Sequence, residues 1–266
     1  MIEKLPPSMI RLGGRVERAL PFLSPAIRRT VHSRQVSDGV IAHGEGKGLR
    51  FNPGGANPGY VLGTTEPGVQ QALVELLQPG MTFYDVGANM GFFSLIAWRR
   101  VGPEGRVVSF EPLPESARTL RHNVGLNAAR NVEVVEAAVG AEPGRAQLAV
   151  TAESVQAHLA EIDTGTPTLG VVDVEVTAID AELAEGRAAP DVVKIDVEGA
   201  EVQVLAGMRE TLERHRPALI CEVHGTTPEV CDFLESHGYQ LDALEAVESI
   251  RDHDGPLHLC ALRNAR

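Results

Sequence analysis

The feature that most constrains the fold of this chain is a regular alternation of short apolar runs and amphipathic segments between residues 66 and 237. The apolar runs have the length of strands, and the segments between them carry apolar residues at helical spacing. This alternation predicts βαβ units and a largely parallel, doubly wound α/β sheet. The predicted strands are 82–86, 107–110, 132–138, 192–195 and 218–223, and the predicted helices are one that begins at residue 67 and the segments 92–100, 115–126, 201–214 and 228–237.

The segments outside this alternation predict how the chain is divided. Residues 1–60 are rich in Pro and Gly, which indicates an N-terminal helical or hairpin addition packed on a main domain of residues 61–266. Within that domain, residues 141–180 form an insertion with two predicted strands, 147–150 and 171–176. Insertions beside the carboxyl edge of a sheet often carry substrate specificity. The segment 239–262 predicts a final pair of strands.

Composition excludes several classes of partner. The formal net charge is −12 and aromatic residues make up 4% of the 266 residues, so we expect no nucleic-acid partner. No run approaches the roughly 18 apolar residues that a transmembrane segment needs. The three cysteines are odd in number and lack CxxC spacing, which favours reduced thiols in a cytoplasmic protein. No feature of the sequence indicates an oligomeric state.

The strongest local motif is DVGANMG at residues 85–91, which begins at the end of the first predicted strand. A strand that passes through a glycine-bearing turn into a helix leaves free N–H groups at the positive end of that helix, where a ligand can bind. Gly87 and Gly91 allow the ligand and the helix to approach closely. Asn89 stands where many nucleotide-binding loops have a glycine, and asparagine tolerates the left-handed conformation.

An acid follows the second predicted strand, in the run Phe110-Glu111-Pro112. Glu111 lies twenty residues after Gly91. This is the separation at which an acid on the second strand accepts hydrogen bonds from both ribose hydroxyls. The two motifs together favour a ligand that contains a nucleoside.

Ionisable side chains also follow the fourth and fifth predicted strands. Asp196 and Glu198 come after the fourth, and Glu222 and His224, two residues apart and therefore on one side of the chain, end the fifth. Asp196 or His224 could take a proton from a substrate hydroxyl, with Glu198 and Glu222 as polar support, although Glu198 or Glu201 could instead cap the following helix. Asp196, Glu222 and His224 could instead hold a divalent metal, which we do not favour because histidine is an uncommon Mg²⁺ ligand.

These motifs together resemble the FkbM family of S-adenosylmethionine-dependent methyltransferases. The resemblance rests on residues 85–94, 110–112, 131–140 and especially KIDVEGAE at 194–201, and it covers about residues 60–240. It implies a class I methyltransferase fold, which is a Rossmann-like doubly wound sheet of seven strands with the last antiparallel. It also implies methylation of a hydroxyl oxygen on a small-molecule acceptor such as a sugar, a polyketide or another natural product.

The resemblance further implies roles for individual residues. The turn after the first strand would line the methionine part of the cofactor, Glu111 would bind the ribose, and Ala138 would lie near the adenine. Glu66 would border the cofactor, although helix capping is an ordinary alternative. The implied cofactor-binding residues are Glu66, Asp85, Gly87, Ala88, Asn89, Gly91, Glu111, Pro112, Ala138 and Asp196.

Two other classes of function remain as alternatives. One is a nicotinamide-dependent oxidoreductase, which the missing GxGxxG motif and the lack of a Tyr-x-x-x-Lys pair disfavour. The other is a catalytically silent nucleoside-binding or partner-binding module. Acids at three strand ends argue against it, because a scaffold has no need of carboxylates around a crevice.

Overall fold

The computed structural model describes residues 37–54, 59–151, 157–159, 168–253 and 255–263, which form a seven-stranded sheet, a four-stranded sheet and a two-stranded hairpin. The strands are β1 (Gly39–Val40), β2 (Arg50–Phe51), β3 (Thr82–Val86), β4 (Arg106–Phe110), β5 (Val132–Val135), β6 (Ala138–Val139), β7 (Gly144–Thr151), β8 (Ala157–Leu159), β9 (Thr168–Thr177), β10 (Val192–Ile195), β11 (Ala218–Val223), β12 (Tyr239–Ala243) and β13 (Leu257–Arg263). The helices are α1 (Gly59–Leu62), α2 (Pro67–Leu76), α3 (Phe92–Val101), α4 (Pro114–Leu126), α5 (Ile179–Ala184), α6 (Glu201–Ala206), α7 (Arg209–Arg214) and α8 (Thr227–Ser236).

The seven-stranded main sheet has the order β12-β13-β11-β10-β3-β4-β5. Neighbouring strands from β11 through β5 pair in parallel, whereas β13 is antiparallel to both β11 and β12. The last described strand in sequence therefore runs against the others. This confirms the seven-stranded arrangement that the family resemblance implies, and the strand pair predicted in 239–262 is present.

Helices cover both faces of the main sheet because successive strand residues point to opposite sides. Phe83 packs in one core with Leu95 of α3, and Tyr84 packs in the other with Val204 of α6. All four side chains are fully buried. The predicted doubly wound arrangement is thus confirmed.

Strands β3, β4 and β10 end at the same level, which brings the residues after them together. The amides of Gly87 and Ala88 each donate a 3.0 Å hydrogen bond to the carbonyl oxygen of Phe110, and the amide of Asp196 donates one of 3.0 Å to Val86. In the sheet, β4 and β5 lie on one side of β3, and the later strands β10 and β11 lie on its other side. Open α/β sheets bind ligands in the crevice at such a reversal.

The second sheet, in the order β6-β9-β7-β8, is built largely from the insertion. Strands β7 and β9 contain the predicted strands 147–150 and 171–176, while residues 152–156 and 160–167 lie outside the described residues. The single strand predicted over 132–138 is wrong. Strand β5 ends at Val135, where its partner β4 also ends, and Ala138 already pairs with β9 in the second sheet.

The single helix predicted over 201–214 is also wrong, because α6 and α7 are separated at Gly207. A Cβ at Gly207 would lie 2.0 Å from the carbonyl oxygen of Gly140, so two segments of backbone meet there. The carbonyl oxygen of Gly207 accepts a hydrogen bond from the amide of Asp180, and the Asp180 carboxylate accepts the amide of Thr211 at the start of α7. The interruption is fixed by tertiary contacts rather than by helix propensity.

The described part of the N-terminal segment is a small hairpin of β1 and β2. Phe51 is fully buried, and its ring centroid lies 5.9 Å from that of Phe92 on α3. Residues 1–36 and 55–58 lie outside the described residues, so the division of the chain at residue 60 stays a prediction. No helix in the described ranges combines the length and the apolar character needed to cross a bilayer.

Candidate functional site

A cavity of about 450 Å³ opens between the ends of the main-sheet strands and the second sheet. Its volume falls in the range of roughly 300–1,000 Å³ typical of small-molecule sites. Of the residues predicted from the sequence, those that line it are Glu66, Gly87, Asn89, Glu111, Pro112, Ala138, Asp196, Glu198 and Glu222. Four other predicted residues do not line the cavity, although each lies within two positions of a residue that does: Asp85, Ala88, Gly91 and His224.

The turn after β3 depends on the left-handed backbone conformation. The φ angle is 80° at Gly87, 50° at Asn89 and 83° at Gly91. At Gly87 a side chain is also excluded by space, since a Cβ would lie 1.8 Å from the carbonyl oxygen of Asp196. The Oδ1 atom of Asn89 is buried without a hydrogen-bond partner among the described residues. It is therefore an acceptor that a ligand in the cavity can use.

Asp85 supports this turn from within the core. Its side chain is buried, and Ser94 Oγ donates a hydrogen bond of 2.5 Å to its Oδ2 atom. Burial raises the pKa of Asp85, while the charge of Lys194 and the hydrogen bond from Ser94 oppose that rise. Its Oδ1 atom has no hydrogen-bond partner in the described part of the chain. Direct contact between Asp85 and a cofactor stays a prediction.

Glu111 joins the turn to the second strand. Its carboxylate accepts the amide of Asn89 at 2.8 Å and the amide of Leu113 at 2.9 Å, one on each oxygen. Each oxygen of a carboxylate can accept two hydrogen bonds, so each retains one for a ligand hydroxyl. Burial raises the pKa of Glu111 to about 7, although the two amide hydrogen bonds favour the ionised form.

Beyond Glu111 the cavity is mainly apolar. The wall is formed by the residues after β4, by the connection from β5 into β6, and by inward-facing residues of the second sheet. Its apolar members are Pro112, Leu113, Ala137, Ala138, Val139, Ala146, Leu148 and Val176. A flat apolar group such as a nucleobase suits this part of the cavity, and the insertion contributes to its wall.

Four carboxylates form a contrasting part of the lining that we call the acidic wall: Glu66, Asp196, Glu198 and Glu222. Burial raises the pKa of Asp196 to about 7, and the nearby charges of Glu222 and Glu66 add to this effect while Lys194 opposes it. Asp196 therefore holds a proton more readily than an ordinary aspartate does. This behaviour suits a group that must take up and release a proton.

Lys194 lies behind the acidic wall and was not singled out from the sequence. Its side chain is only 2% exposed, with Nζ 2.9 Å from Asp196 Oδ2 and 4.9 Å from the centroid of the Phe93 ring. Burial disfavours the charged ammonium, but the charges of Asp196 and Asp85 outweigh that cost and raise the pKa of Lys194. A lysine within an apolar strand requires a buried partner, and this signal was present in the sequence.

His224 is surrounded by three carboxylates. Its Nδ1 atom lies 3.2 Å from Glu201, and its Nε2 atom lies 3.4 Å from both Glu198 and Glu222. Burial disfavours a charged ring, but hydrogen bonds with Glu201 and Glu222 outweigh it and raise the pKa of His224 to about 11. His224 is therefore a cation at neutral pH. This argues against the role of proton acceptor predicted for it.

Glu66 occupies the N-cap position of α2, but its side chain makes no capping hydrogen bond to that helix. The alternative prediction, that the Glu66 carboxylate caps this helix, is therefore wrong. Glu66 Oε2 instead lies 3.2 Å from Nε2 of His258. The same nitrogen lies 3.3 Å from Glu222 Oε2, and Nδ1 of His258 contacts Glu245.

His258 was missed because its place depends on strand register. The pairing of β11 with β13 sets Glu222 directly opposite His258, and nothing in the local sequence of either strand specifies that pairing. Tyr60, which lines the cavity beside Glu66, was also missed. It belongs to the short helix α1, which has no clear periodic signal.

Among the described residues, potential metal ligands fall into two groups, each with its ligand atoms within 4.8 Å of one another: Glu66 with Glu222 and His258, and Asp196 with Glu198 and His224. The structure therefore divides the set of Asp196, Glu222 and His224 that the sequence suggested. Both imidazoles lie at hydrogen-bonding or ion-pair distance from carboxylates. Burial disfavours a charged ring at His258, but hydrogen bonds with Glu222 and Glu66 outweigh it and raise the pKa of His258 to about 10.

The strand order, the antiparallel last strand and the cavity at the reversal of the sheet match the Rossmann-like fold that the family resemblance implies. The methyltransferase FkbM domain matches residues 85–241, which is more than half of the chain. The chain therefore belongs to the FkbM family of methyltransferases, as its motifs indicated. This membership favours the methyltransferase interpretation over the oxidoreductase and the silent binding module.

Similar proteins include enzymes named for O-methylation. The 31-O-demethyl-FK506 methyltransferase FkbM of Streptomyces tacrolimicus is 30% identical over 202 residues, covering 63% of this chain and 75% of that protein. The 2-O-methyltransferase NoeI of Sinorhizobium fredii is 27% identical over 164 residues, covering 56% and 66%. A solved structure of a methyltransferase FkbM from Methylobacillus flagellatus has a TM-score of 0.47 at 18% identity, covering 77% of this chain and 55% of that one.

Proposed function

We propose that this protein is a cytoplasmic enzyme that transfers a methyl group from S-adenosylmethionine to a hydroxyl oxygen of a small molecule, such as a sugar, a polyketide or another natural product. The observation that carries the proposal is that the turn with Glu111 and the acidic wall with Asp196 face one cavity. The names of the two relatives, which describe O-methylation, support a hydroxyl as the target.

The part of the cavity around Glu111 suits the nucleoside of S-adenosylmethionine. Each Glu111 oxygen retains a site for a ribose hydroxyl, and the apolar wall that includes Pro112 and Ala138 suits adenine. The buried, unpartnered oxygen of Asn89 suits a donor on the amino-acid part. We assign that part to the turn at residues 85–91, and the sulfonium of the cofactor to the side facing Glu66 and Asp196.

When bound, S-adenosylmethionine supplies an activated methyl group on a sulfonium ion. The protein must hold the acceptor oxygen about 3 Å from that carbon and in line with the bond that breaks, and such positioning accounts for much of the rate in reactions of this kind. The acceptor hydroxyl must also lose its proton. The acidic wall carries the groups that orient the hydroxyl and accept the proton.

We assign the proton acceptor to Asp196. Its pKa of about 7 allows it to be ionised in the resting enzyme and to hold a proton transiently. Lys194 holds Oδ2 at 2.9 Å, which leaves Oδ1 for the acceptor hydroxyl. His224, as a cation, orients Glu198 and Glu222, and these two carboxylates accept hydrogen bonds from other hydroxyls of the acceptor.

We further propose that turnover needs no divalent metal. His224 and His258 each lie within 3.4 Å of at least two carboxylates, which is the arrangement expected of protonated rings. A metal ion bound by either ring would have to displace that proton. Mg²⁺ prefers an all-oxygen octahedral set, which neither of the two ligand groups provides.

Calorimetry with S-adenosylhomocysteine and NAD⁺, followed by transfer of labelled methyl groups to a panel of sugars and polyketide alcohols, tests the proposal. We expect S-adenosylhomocysteine to bind, NAD⁺ not to bind, and the label to appear as a methyl ether identified by mass spectrometry. Glu111→Gln should weaken binding, while the matched variant Glu115→Gln, on the exposed first turn of α4, should not. Binding of NAD⁺ alone, or label recovered only on nitrogen, would contradict the assignment.

A further inference from the structure

The reaction proposed above leaves His258 without a direct role. Its side chain is 11% exposed and is absent from the cavity lining, yet it touches two residues that line the cavity. It lies on β13, directly opposite Glu222 of β11, and it reaches Glu66 across 192 positions of sequence. A buried histidine that contacts three carboxylates from separate segments must affect all three.

The contacts of His258 hold together groups that repel each other. One ring nitrogen lies 3.2 Å from Glu66 and 3.3 Å from Glu222, while the other contacts Glu245. A cation between two ionised carboxylates this close to one point removes most of their mutual repulsion. Glu66 also has φ of 41°, a left-handed conformation that non-glycine residues seldom adopt, so its backbone is held in place by surrounding contacts.

Within the part of the chain that the structure describes, three basic side chains contact the acidic wall, and two of them, His224 and His258, share Glu222. Lys194 contacts Asp196, and His224 contacts Glu198 and Glu222. His258 is the cation that contacts Glu66. Within the described residues, His258 is therefore the basic side chain in direct contact with the Glu66 carboxylate, while the buried Lys194 attracts that carboxylate from a longer distance.

We propose that His258 is a positioning residue that sets the net charge of the acidic wall, holding Glu66 and Glu222 at the cavity while offsetting part of their negative charge. The inference rests on the proposed function, because it concerns the methyl donor. S-adenosylmethionine carries a sulfonium charge that S-adenosylhomocysteine lacks. An uncompensated wall would stabilise the charged donor in its ground state, which does not accelerate transfer.

The ratio of affinities for S-adenosylmethionine and S-adenosylhomocysteine tests this role, because loss of packing alone moves both affinities together. Calorimetry at pH 8 would compare wild type, His258→Gln, His258→Lys and the matched control His237→Gln, whose ring stacks on Phe233 with centroids 4.5 Å apart. We expect the preference for S-adenosylmethionine to rise at least about threefold in His258→Gln. It should return close to the wild-type value in His258→Lys and stay unchanged in His237→Gln.

An unchanged ratio in His258→Gln, or an equal rise in His258→Lys, would overturn the proposal. If His258→Gln does not fold, the ¹⁵N shifts of the ring in the wild-type complex with S-adenosylhomocysteine decide the question. Both ring nitrogens should be protonated at pH 8, and a neutral ring would overturn the proposal. Failure of the wild-type protein to bind either ligand would instead count against the proposed function.

Discussion

The two parts of the cavity are held by different kinds of interaction. Around Glu111 the contacts come from the backbone, because the amides of Asn89 and Leu113, which are 22 and 2 residues away, each donate to one carboxylate oxygen. Along the acidic wall side chains hold one another, as in the pair of Glu66 and His258, separated by 192 residues. The first arrangement follows from local chain geometry. The second depends on the protonation states of partners from distant segments, and so responds to single charge changes.

Among the variants that still bind the cofactor, Asp196→Asn should have the largest effect on turnover, and that effect should be confined to the acidic wall. Loss of a general base costs roughly 10²–10⁴-fold in rate, so we expect a fall of this size with the affinity for S-adenosylhomocysteine changed by less than about threefold. Steady-state kinetics and calorimetry on one preparation measure both. Asp173→Asn, on an exposed position of β9, is the control. A turnover close to wild type would remove Asp196 from the reaction.

Gly87→Ala tests the point where the two parts of the cavity meet. Both Gly87 and Gly80 have positive φ angles, of 80° and 90°, but only at Gly87 would a Cβ meet backbone, whereas at Gly80 there is nothing within 4 Å. Gly80→Ala should cost about 1–2 kcal/mol from conformation alone. Gly87→Ala should destabilise more and abolish cofactor binding. Equal melting temperatures for the two variants would contradict the close contact with Asp196.

Glu111→Gln should reverse the pattern expected at Asp196. Loss of a charged acceptor for two ribose hydroxyls should weaken S-adenosylhomocysteine binding by roughly 1.5–3 kcal/mol, which is about tenfold or more. Calorimetry on the folded variant measures this. Unchanged affinity would show that the ribose lies elsewhere.

The affinity for S-adenosylhomocysteine should also depend on pH through Glu111. Burial raises the pKa of Glu111 to about 7 in the protein without ligand. Ribose hydroxyls donate hydrogen bonds to the ionised carboxylate, so binding of the ligand should lower that pKa. Affinity is then highest above pH 7 and falls as Glu111 takes up a proton, by about tenfold between pH 8 and pH 6. Glu111→Gln should lose this dependence while Asp196→Asn keeps it. If Asp196→Asn lost the pH dependence and Glu111→Gln kept it, the titrating group would lie in the acidic wall.

Chelation should have the smallest effect. If protonated histidines and Lys194 compensate the acidic wall, EDTA should leave the rate of methyl transfer unchanged. Complete loss of activity in EDTA, restored by a divalent cation, would mean that a metal ion supplies the compensation instead.

The features specified by local sequence were predictable. The strands that end at Val86, Phe110 and Ile195 follow from apolar runs, and Glu111 and Asp196 follow from their positions directly after those strands. Their meeting at one edge is a consequence of parallel pairing. For this reason most of the predicted residues line a single cavity.

Contacts between distant segments were not predictable. The apolar pattern of 201–214 continues through Gly207, and only the approach of Gly140 shows why the helix stops there. Likewise, the sequence predicts that His224 is a neutral base, because an ordinary histidine titrates near neutral pH. Its charge became evident only when Glu201 and Glu198 were found beside it.

The position of β13 has a consequence for synthesis of the chain. Although it comes last among the described strands, β13 lies between β11 and β12 inside the main sheet. A nascent chain that has emerged only to residue 243 therefore leaves β11 with an open apolar edge and β12 without its sheet partner. Such edges invite association with other chains, so the nascent chain is most open to pairing with another chain before residues 257–263 emerge.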